Sequence, residues 1–274
     1  MSANGVRFAL VEQGSGPLAL LLHGFPDSAR TWRHLLPELA AAGYRAVAPW
    51  TRGYGPTEVP ADGDYRVSTL ASDANAMHEA LGGDGDAVLV GHDWGAITAY
   101  GAAALEPDRW RRVVTMAVPP PEVASAAFFD YRQLKRSFYV YLFQTPLAEM
   151  IAGADDLAFV ENLWRDWSPG YDGGEDLRHV KDALRDPANL RAAIGYYRAM
   201  FGGGVLGESP TQPTLYLHGA DDGAFLADRV LEAKAHLSAE SDVRVLPDAG
   251  HFLHLERPEI VNRMILDWIG TPRG

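Results

Sequence analysis

The chain of 274 residues contains no cysteine. That excludes disulfides, thiolate metal sites and a cysteine nucleophile. It suits a reducing cytoplasm, which is the expected compartment. No apolar run is long enough to span a bilayer. The opening Met1-Ser2-Ala3-Asn4 does not start a basic and apolar signal peptide. Neither an internal repeat nor a low-complexity tract is present. Basic charge is in deficit: 24 Lys and Arg face 36 Asp and Glu, a formal net charge of −12. This argues against nucleic acid and anionic membranes as partners. What is left is a globular composition, long enough for one large α/β domain or for a core with an inserted subdomain.

Strand and helix patterns alternate along most of the chain. Phe8 to Glu12 reads as a strand, followed by the turn cluster Gln13-Gly14-Ser15-Gly16-Pro17. Leu18 to Leu22 is a continuous apolar run, as expected of a strand covered on both faces. A helix is expected from Ala29 to Ala42, its apolar face formed by Trp32, Leu35, Leu36 and Leu39, with Gly43 at its end. Arg45 to Pro49 is the next strand. Ser68 is placed to cap a helix from Thr69 to Leu81. Ala87 to Gly91 is a central strand, Trp94 to Leu105 a helix, and Val113 to Val118 a further strand closed by prolines.

The alternation then stops. Residues 120–209 read as successive helices rich in Phe, Tyr and Trp, closed by Gly202-Gly203-Gly204. It resumes with strand Thr214–Leu217, helix Ala224–Leu237, strand Val243–Leu246 and helix Pro258–Ile269. Such alternation predicts a mostly parallel, doubly wound α/β sheet with helices on both faces. The expected division is a core from 1–119 and 210–274 with a helical lid over 120–209. A lid over the C-terminal strand ends lies where ligands bind in such sheets.

The chemistry centres on Gly91-His92-Asp93-Trp94-Gly95. This Gly-x-Asp-x-Gly pattern sits between strand and helix, with Asp where many hydrolases carry serine. A turn this sharp needs glycines because backbones approach closely. Its apex residue is strained and presented outward, next to a helix N-terminus that favours negative charge. A carboxylate displayed there is a candidate nucleophile. Taken alone, the pattern is as readily a turn with a capping aspartate. Two later loops complete a set in the order nucleophile, acid, base: His218-Gly219-Ala220-Asp221-Asp222, and Pro247-Asp248-Ala249-Gly250-His251.

Together with His23-Gly24-Phe25-Pro26, Arg52-Gly53-Tyr54-Gly55 and Gly250 to Glu259, these stretches resemble the α/β-hydrolases of the epoxide hydrolase and haloalkane dehalogenase branch, and within it the epoxide hydrolases. The resemblance runs from about Phe8 to Trp268. It implies that Asp93 attacks a substrate carbon and forms an alkyl ester. His251 then activates water, and Asp222 holds the histidine tautomer. The backbone N–H groups of Phe25 and Trp94 form the oxyanion hole. An aspartate, ionised at neutral pH, needs no base for the first step. Asp221 is the rival to Asp222; the family spacing selects Asp222.

The branch question turns on the leaving group. An epoxide oxygen needs acidic hydroxyl donors. The resemblance places these at Tyr139 and Tyr197, with Tyr141 and Tyr196 as neighbouring rivals. The alternative is a haloalkane dehalogenase using the same three residues. A halide needs N–H donors, and Trp94 with Trp164 or Trp167 are the candidates. Phe25 stands where many dehalogenases carry Asn, and Trp94 where fluoroacetate-type enzymes carry Arg. Trp50 and Val118 depart from the usual polar residues at their strand ends. A third reading, a non-catalytic ligand-binding member of the fold, sits poorly with an intact Asp93, Asp222 and His251. His254 is expected to be a packing residue and His23 to shape the oxyanion loop, while His92 has no derivable role; the Phe25–Pro26 bond is open to a cis form. No cofactor and no metal are expected. The expected partners are a small, largely apolar epoxide and water, with neither nucleic acid nor membrane. A homodimer is one of the assemblies left open.

Overall fold

Leu18–Leu22 is buried at every position in the computed structural model, which describes residues 1–201 and 207–270. The expected closing glycines 202–204 lie outside the described residues. The strands in chain order are β1 (Ser2–Ala3), β2 (Val6–Arg7), β3 (Leu10–Gln13), β4 (Leu18–Leu22), β5 (Arg45–Pro49), β6 (Val88–His92), β7 (Arg112–Met116), β8 (Thr214–Gly219) and β9 (Asp242–Leu246). Strands β3 to β9 form one sheet in the order β3-β5-β4-β6-β7-β8-β9. Only β3 is antiparallel to its neighbour; every other pairing is parallel. The predicted mostly parallel α/β sheet is therefore what the chain forms. Its two edge strands, β3 and β9, are the exposed ones, with charged residues such as Glu12 and Arg244 facing solvent.

Side-chain alternation divides the core into two layers. Ala19, Leu21, Val88, Val90, Val114 and Met116 face one side, against Trp32, Leu36 and the C-terminal helix Pro258–Ile269. Leu18, Leu20, Leu22, Leu89 and Val113 face the other, against the helices Val67–Ala80 and Trp94–Leu105. Each fully buried Leu or Val contributes about 1.5–3 kcal/mol relative to exposure. The helix Trp94–Leu105 is rich in Ala and Gly, which lets it lie close to its neighbour: a Cβ on Gly101 would sit 3.3 Å from Ala71 Cβ.

The sheet register places the functional loops. Leu22 pairs with Gly91, His92 with Met116, Met116 with Leu217, and Gly219 with Leu246. The C-terminal ends of β4, β6, β7, β8 and β9 thus lie level. The loops after β4, β6, β8 and β9 open onto one edge. Helices between Pro121 and Met200 separate β7 from β8 in the chain and bury aromatic side chains against that same edge.

Several local expectations are corrected. The strand expected from Phe8 to Glu12 runs from Leu10 to Gln13, and ahead of it Ser2–Ala3 and Val6–Arg7 form a small hairpin around Asn4-Gly5, both at positive φ. Asn-Gly is the strongest short hairpin signal. The helix expected from Ala29 becomes a 3₁₀ turn, Ala29–Arg33, and an α-helix, Leu35–Ala41. Pro37 lacks the N–H that would bond Arg33, so a continuous helix cannot cross there. Ser68 caps nothing: the helix starts at Val67 after Arg66, and Asp64 accepts from Arg66 N and Thr69 Oγ1 instead. The expected helix Ala224–Leu237 is a 3₁₀ segment, Ala227–His236. The amides of Ala224, Phe225 and Leu226 are already committed to the Asp222 and Gln133 side chains.

Candidate active site

Asp93 stands at the end of β6 with φ 53° and ψ −119°, a conformation costing about 1–3 kcal/mol for a residue with a Cβ. Its surroundings explain the glycines. A Cβ on Gly91 would land on the Gly95 carbonyl, and one on Gly95 on the Leu22 carbonyl. A Cβ on Gly24 would strike the Asp93 carboxylate itself. The crossing is sharp and the strand packs against the helix start with no spare room.

The carboxylate has two distinct faces. Oδ1 accepts from Phe25 N–H at 2.7 Å, and Trp94 N–H also favours its charged form. Oδ2 faces His251 Nε2 at 3.7 Å. Burial raises the Asp93 carboxyl above its ordinary range, and the His251 charge and these amides work against that rise. The Phe25–Pro26 peptide is cis.

His251 Nδ1–H donates to Asp222 Oδ2 at 3.0 Å. Asp222 is fully buried, whereas Asp221 is exposed and makes no such contact. Asp222 Oδ1 accepts from Ala224 N at 2.7 Å and Phe225 N at 3.0 Å. Burial alone would push this carboxyl up; the His251 charge and hydrogen bond, with the loop amides, bring it below its ordinary value. Burial pushes the His251 imidazole down, but Asp222 and Asp93 outweigh it and raise the net value. The structure thus brings Asp93, His251 and Asp222 together in one line of contacts.

An apolar cavity opens over Asp93 and His251, with about 500 Å³ of atom-free space when the open solvent at its mouth is included. Ile97, Val118, Phe128, Val140 and Met200 supply apolar walls, and Tyr139 and Tyr197 line it too. Their rings meet edge to face with centroids 5.5 Å apart. The Tyr197 hydroxyl is buried without a hydrogen-bond partner among the described residues. Burial raises both phenols. The rivals point elsewhere: Tyr196 donates to the Arg52 carbonyl at 2.7 Å, and Tyr141 is partly exposed beside Phe201. Trp94 lines the cavity, and Trp164 donates its indole N–H to the Pro26 carbonyl at 2.7 Å. Of the two departures, Val118 borders the cavity while Trp50 lies outside its lining, beneath the Arg30 guanidinium.

His23, His254 and His92 are buried and hold the floor in place. His23 accepts from Thr51 N–H at 3.0 Å and donates from Nδ1 to the Gly24 carbonyl; burial lowers it to about 4, so it stays neutral. His254 packs between Trp32 and His92 and is lowered by burial to about 3. His92, for which the sequence offered no role, donates from Nε2 to the His251 carbonyl at 2.9 Å. Its Nδ1, His254 Nδ1 and Asp27 Oδ2 have no hydrogen bond among the described residues, and each of the three residues brings one ring nitrogen or carboxylate oxygen within 4.8 Å of the others'. His92 Nδ1 and Asp27 Oδ2 are 3.9 Å apart. Ligands of a tetrahedral zinc ion sit about 3.4 Å apart, so the wider spacing suits a bridging water better than that metal. Sequence reasoning also missed Gln133 and Arg136, which hold the acid loop through Ala224 O, Leu226 N and Asp222 O.

The comparisons with known proteins point to one fold family. The sequence model of the alpha/beta hydrolase fold matches residues 17–258. An epoxide hydrolase of Caballeronia sordidicola is 40% identical over 308 residues, covering 99% of this chain and 93% of that protein. Epoxide hydrolase 3 of Xenopus tropicalis is 34% identical, covering 98% and 76% respectively. The crystal structure of the Bacillus megaterium epoxide hydrolase in complex with an inhibitor superposes with a TM-score of 0.86 at 25% identity, covering 98% of this chain and 99% of that one. No described helix is long and apolar enough to cross a membrane. On the fold, the matched length and these relatives, the chain belongs to the α/β-hydrolase fold family and is an epoxide hydrolase-like enzyme.

Proposed function

We propose that the protein opens an epoxide to a vicinal diol in two steps. Asp93 Oδ2 attacks one epoxide carbon; the C–O bond of the ring breaks, and the released oxygen takes a proton from Tyr139 or Tyr197. The product is an alkyl ester on Asp93. Water then loses a proton to His251 Nε2 and attacks the ester carbonyl, whose oxygen is Oδ1 in the hole formed by Phe25 N–H and Trp94 N–H. Collapse breaks the ester C–O bond, and the departing diol oxygen takes the proton held by His251. One water oxygen stays in the Asp93 carboxyl group, and the second water proton passes from that carboxyl to the tyrosinate, so that Asp93, His251 and the tyrosine are all regenerated. Asp222 keeps Nδ1 protonated so that Nε2 is free to act as base.

The observation that carries this reading is the pair of tyrosines facing the carboxylate across an apolar cavity, one hydroxyl unpartnered. Hydroxyl donors are what a ring-opened alkoxide needs. A halide would need N–H donors, and the Trp164 N–H is already bonded to Pro26, which takes that one of the two lid candidates out of use. The cavity walls favour an epoxide with a largely apolar substituent. Residues 1–119 and 210–274 serve as the core in this reading and 120–209 as the lid. A chain without cysteine suits the cytoplasm.

Intact mass spectrometry of His251→Gln tests the scheme. Incubation with a panel of epoxides and haloalkanes is expected to leave one epoxide mass on Asp93, with no stable adduct on wild-type enzyme after turnover. No adduct from any member sinks the scheme. A haloalkane-derived adduct that survives loss of both tyrosines establishes the dehalogenase alternative.

A further inference from the structure

Each amide of the turn that carries His251 has a partner, and two of those partners come from the helical insertion. Gly250 N–H donates to Glu256 Oε2 at 2.8 Å, His251 N–H to the Trp167 carbonyl at 3.0 Å, and Phe252 N–H to Ser168 Oγ at 3.0 Å. The Ser168 hydroxyl donates in turn to Glu256 Oε1 at 2.6 Å. The Trp167 carbonyl accepts a second amide, from Gly223, which directly follows Asp222. One carbonyl therefore joins the loop of the acid to the loop of the base.

The two loop glycines fit this crossing. A Cβ on Gly223 would land on the Asp166 carbonyl, and one on Gly250 would come within 2.8 Å of the Trp167 carbonyl and 2.7 Å of Ser168 Cα. The backbone of residues 166–168 runs through the gap that these glycines leave. Ser168 is buried, and the Trp167 indole lies against both the His251 ring (4.9 Å between centroids) and the Tyr139 ring (5.0 Å).

We propose that Trp167, Ser168 and Glu256 form a strut by which the insertion sets the position of His251, with Ser168 and Glu256 as positioning residues for the second half of the reaction. The inference rests on the two-step reading above. Asp93 takes its own support from its elbow and from the Phe25 and Trp94 amides, and no hydrogen bond among the described residues joins Ser168 or Glu256 to any of these. Ester formation uses Asp93 and the tyrosines. His251 enters only when water attacks, so a slack histidine turn slows hydrolysis and spares alkylation. Losing the Ser168 hydroxyl leaves Phe252 N–H and a Glu256 oxygen without their partners.

Single-turnover kinetics on the full chain separates the two steps. For Ser168→Ala and Glu256→Gln, ester formation is expected to stay within about threefold of wild type. Ester hydrolysis is expected to slow by about 10–100-fold, the usual cost of a misplaced reacting group. Adduct should accumulate in the steady state of both variants, and Ser168→Thr, which keeps the hydroxyl, should restore hydrolysis. Removing the Glu256 charge should also move the acid limb of the hydrolysis pH profile downward in Glu256→Gln. Equal slowing of both steps, or unchanged hydrolysis in Glu256→Gln, overturns the strut. If Ser168→Ala does not fold, Glu256→Gln decides on the same partition. If His251→Gln gives no adduct, the two-step scheme fails and the strut with it; an adduct there with normal partition in the strut variants overturns the strut alone.

Discussion

Tyr197→Phe separates the chemical use of a hydroxyl from its structural use. The ring is held edge to face by Phe25, Trp94 and Phe143, each with centroids 5.2 Å away, and phenylalanine keeps all of these contacts. The hydroxyl is buried with no hydrogen-bond partner among the described residues, so its removal strands none of their polar groups. An unpaired buried hydroxyl costs about 1–3 kcal/mol. Water in the cavity offsets part of that cost, so the variant should gain between zero and about 1 kcal/mol of stability. For a chain of this size that is a rise of about 2–4 °C or less in Tm.

Activity should move the other way. Removing one preorganised donor to a developing oxyanion costs about 10²–10³ in rate, or about 2.7–4 kcal/mol. Tyr139 remains, so ester formation should fall by about 100-fold, towards the lower end of that range. Hydrolysis of the ester, which uses neither tyrosine directly, should change far less. Stopped-flow tryptophan fluorescence reports the first step, because Trp94 lines the cavity and Trp167 packs on His251. Scanning fluorimetry reports the stability. Ester formation within about threefold of wild type, or a stability loss above about 1 kcal/mol, would refute the reasoning.

Two further outcomes follow from the same geometry. His251 titrates above its ordinary 6.5 in the free enzyme, partly because Asp93 is charged. A raised base becomes neutral only above its raised value, and esterification removes the Asp93 charge; the acid limb of ester hydrolysis should therefore lie below the His251 titration seen by NMR in the free enzyme, and coincidence of the two would discount the Asp93 contribution. Gly95→Ala should lower stability by about 3 kcal/mol or more, since its Cβ meets the Leu22 backbone rather than a side chain; a chemical denaturation midpoint equal to wild type would contradict the close crossing.

The elbow was legible because its constraints are local. Gly91, Asp93 and Gly95 fall within five residues, and the glycines are needed wherever backbones cross so closely. The sheet was legible because parallel strands covered on both faces read as apolar runs, as Leu18–Leu22 does. Local punctuation was less reliable. Asn4-Gly5 announced a hairpin to which no element was assigned, and Pro37 broke a helix whose apolar spacing ran through it. Ser68 had the right chemistry for a cap one residue inside the helix.

The supporting contacts were illegible for a different reason. His92 bonds the carbonyl of His251, 159 residues away, and the Trp167 carbonyl bonds amides in two loops that follow it by more than fifty residues. Backbone carbonyls have no residue identity, so no pattern of side chains records them. What the sequence does record is the room they require. Gly223 and Gly250 each follow or precede a proposed reacting residue by one position, and each faces insertion backbone. A glycine beside a loop acid or base is therefore informative: in this fold it marks where another part of the chain must pass. Read that way, the Trp167 carbonyl and the Ser168 hydroxyl make the insertion a support of the His251 turn.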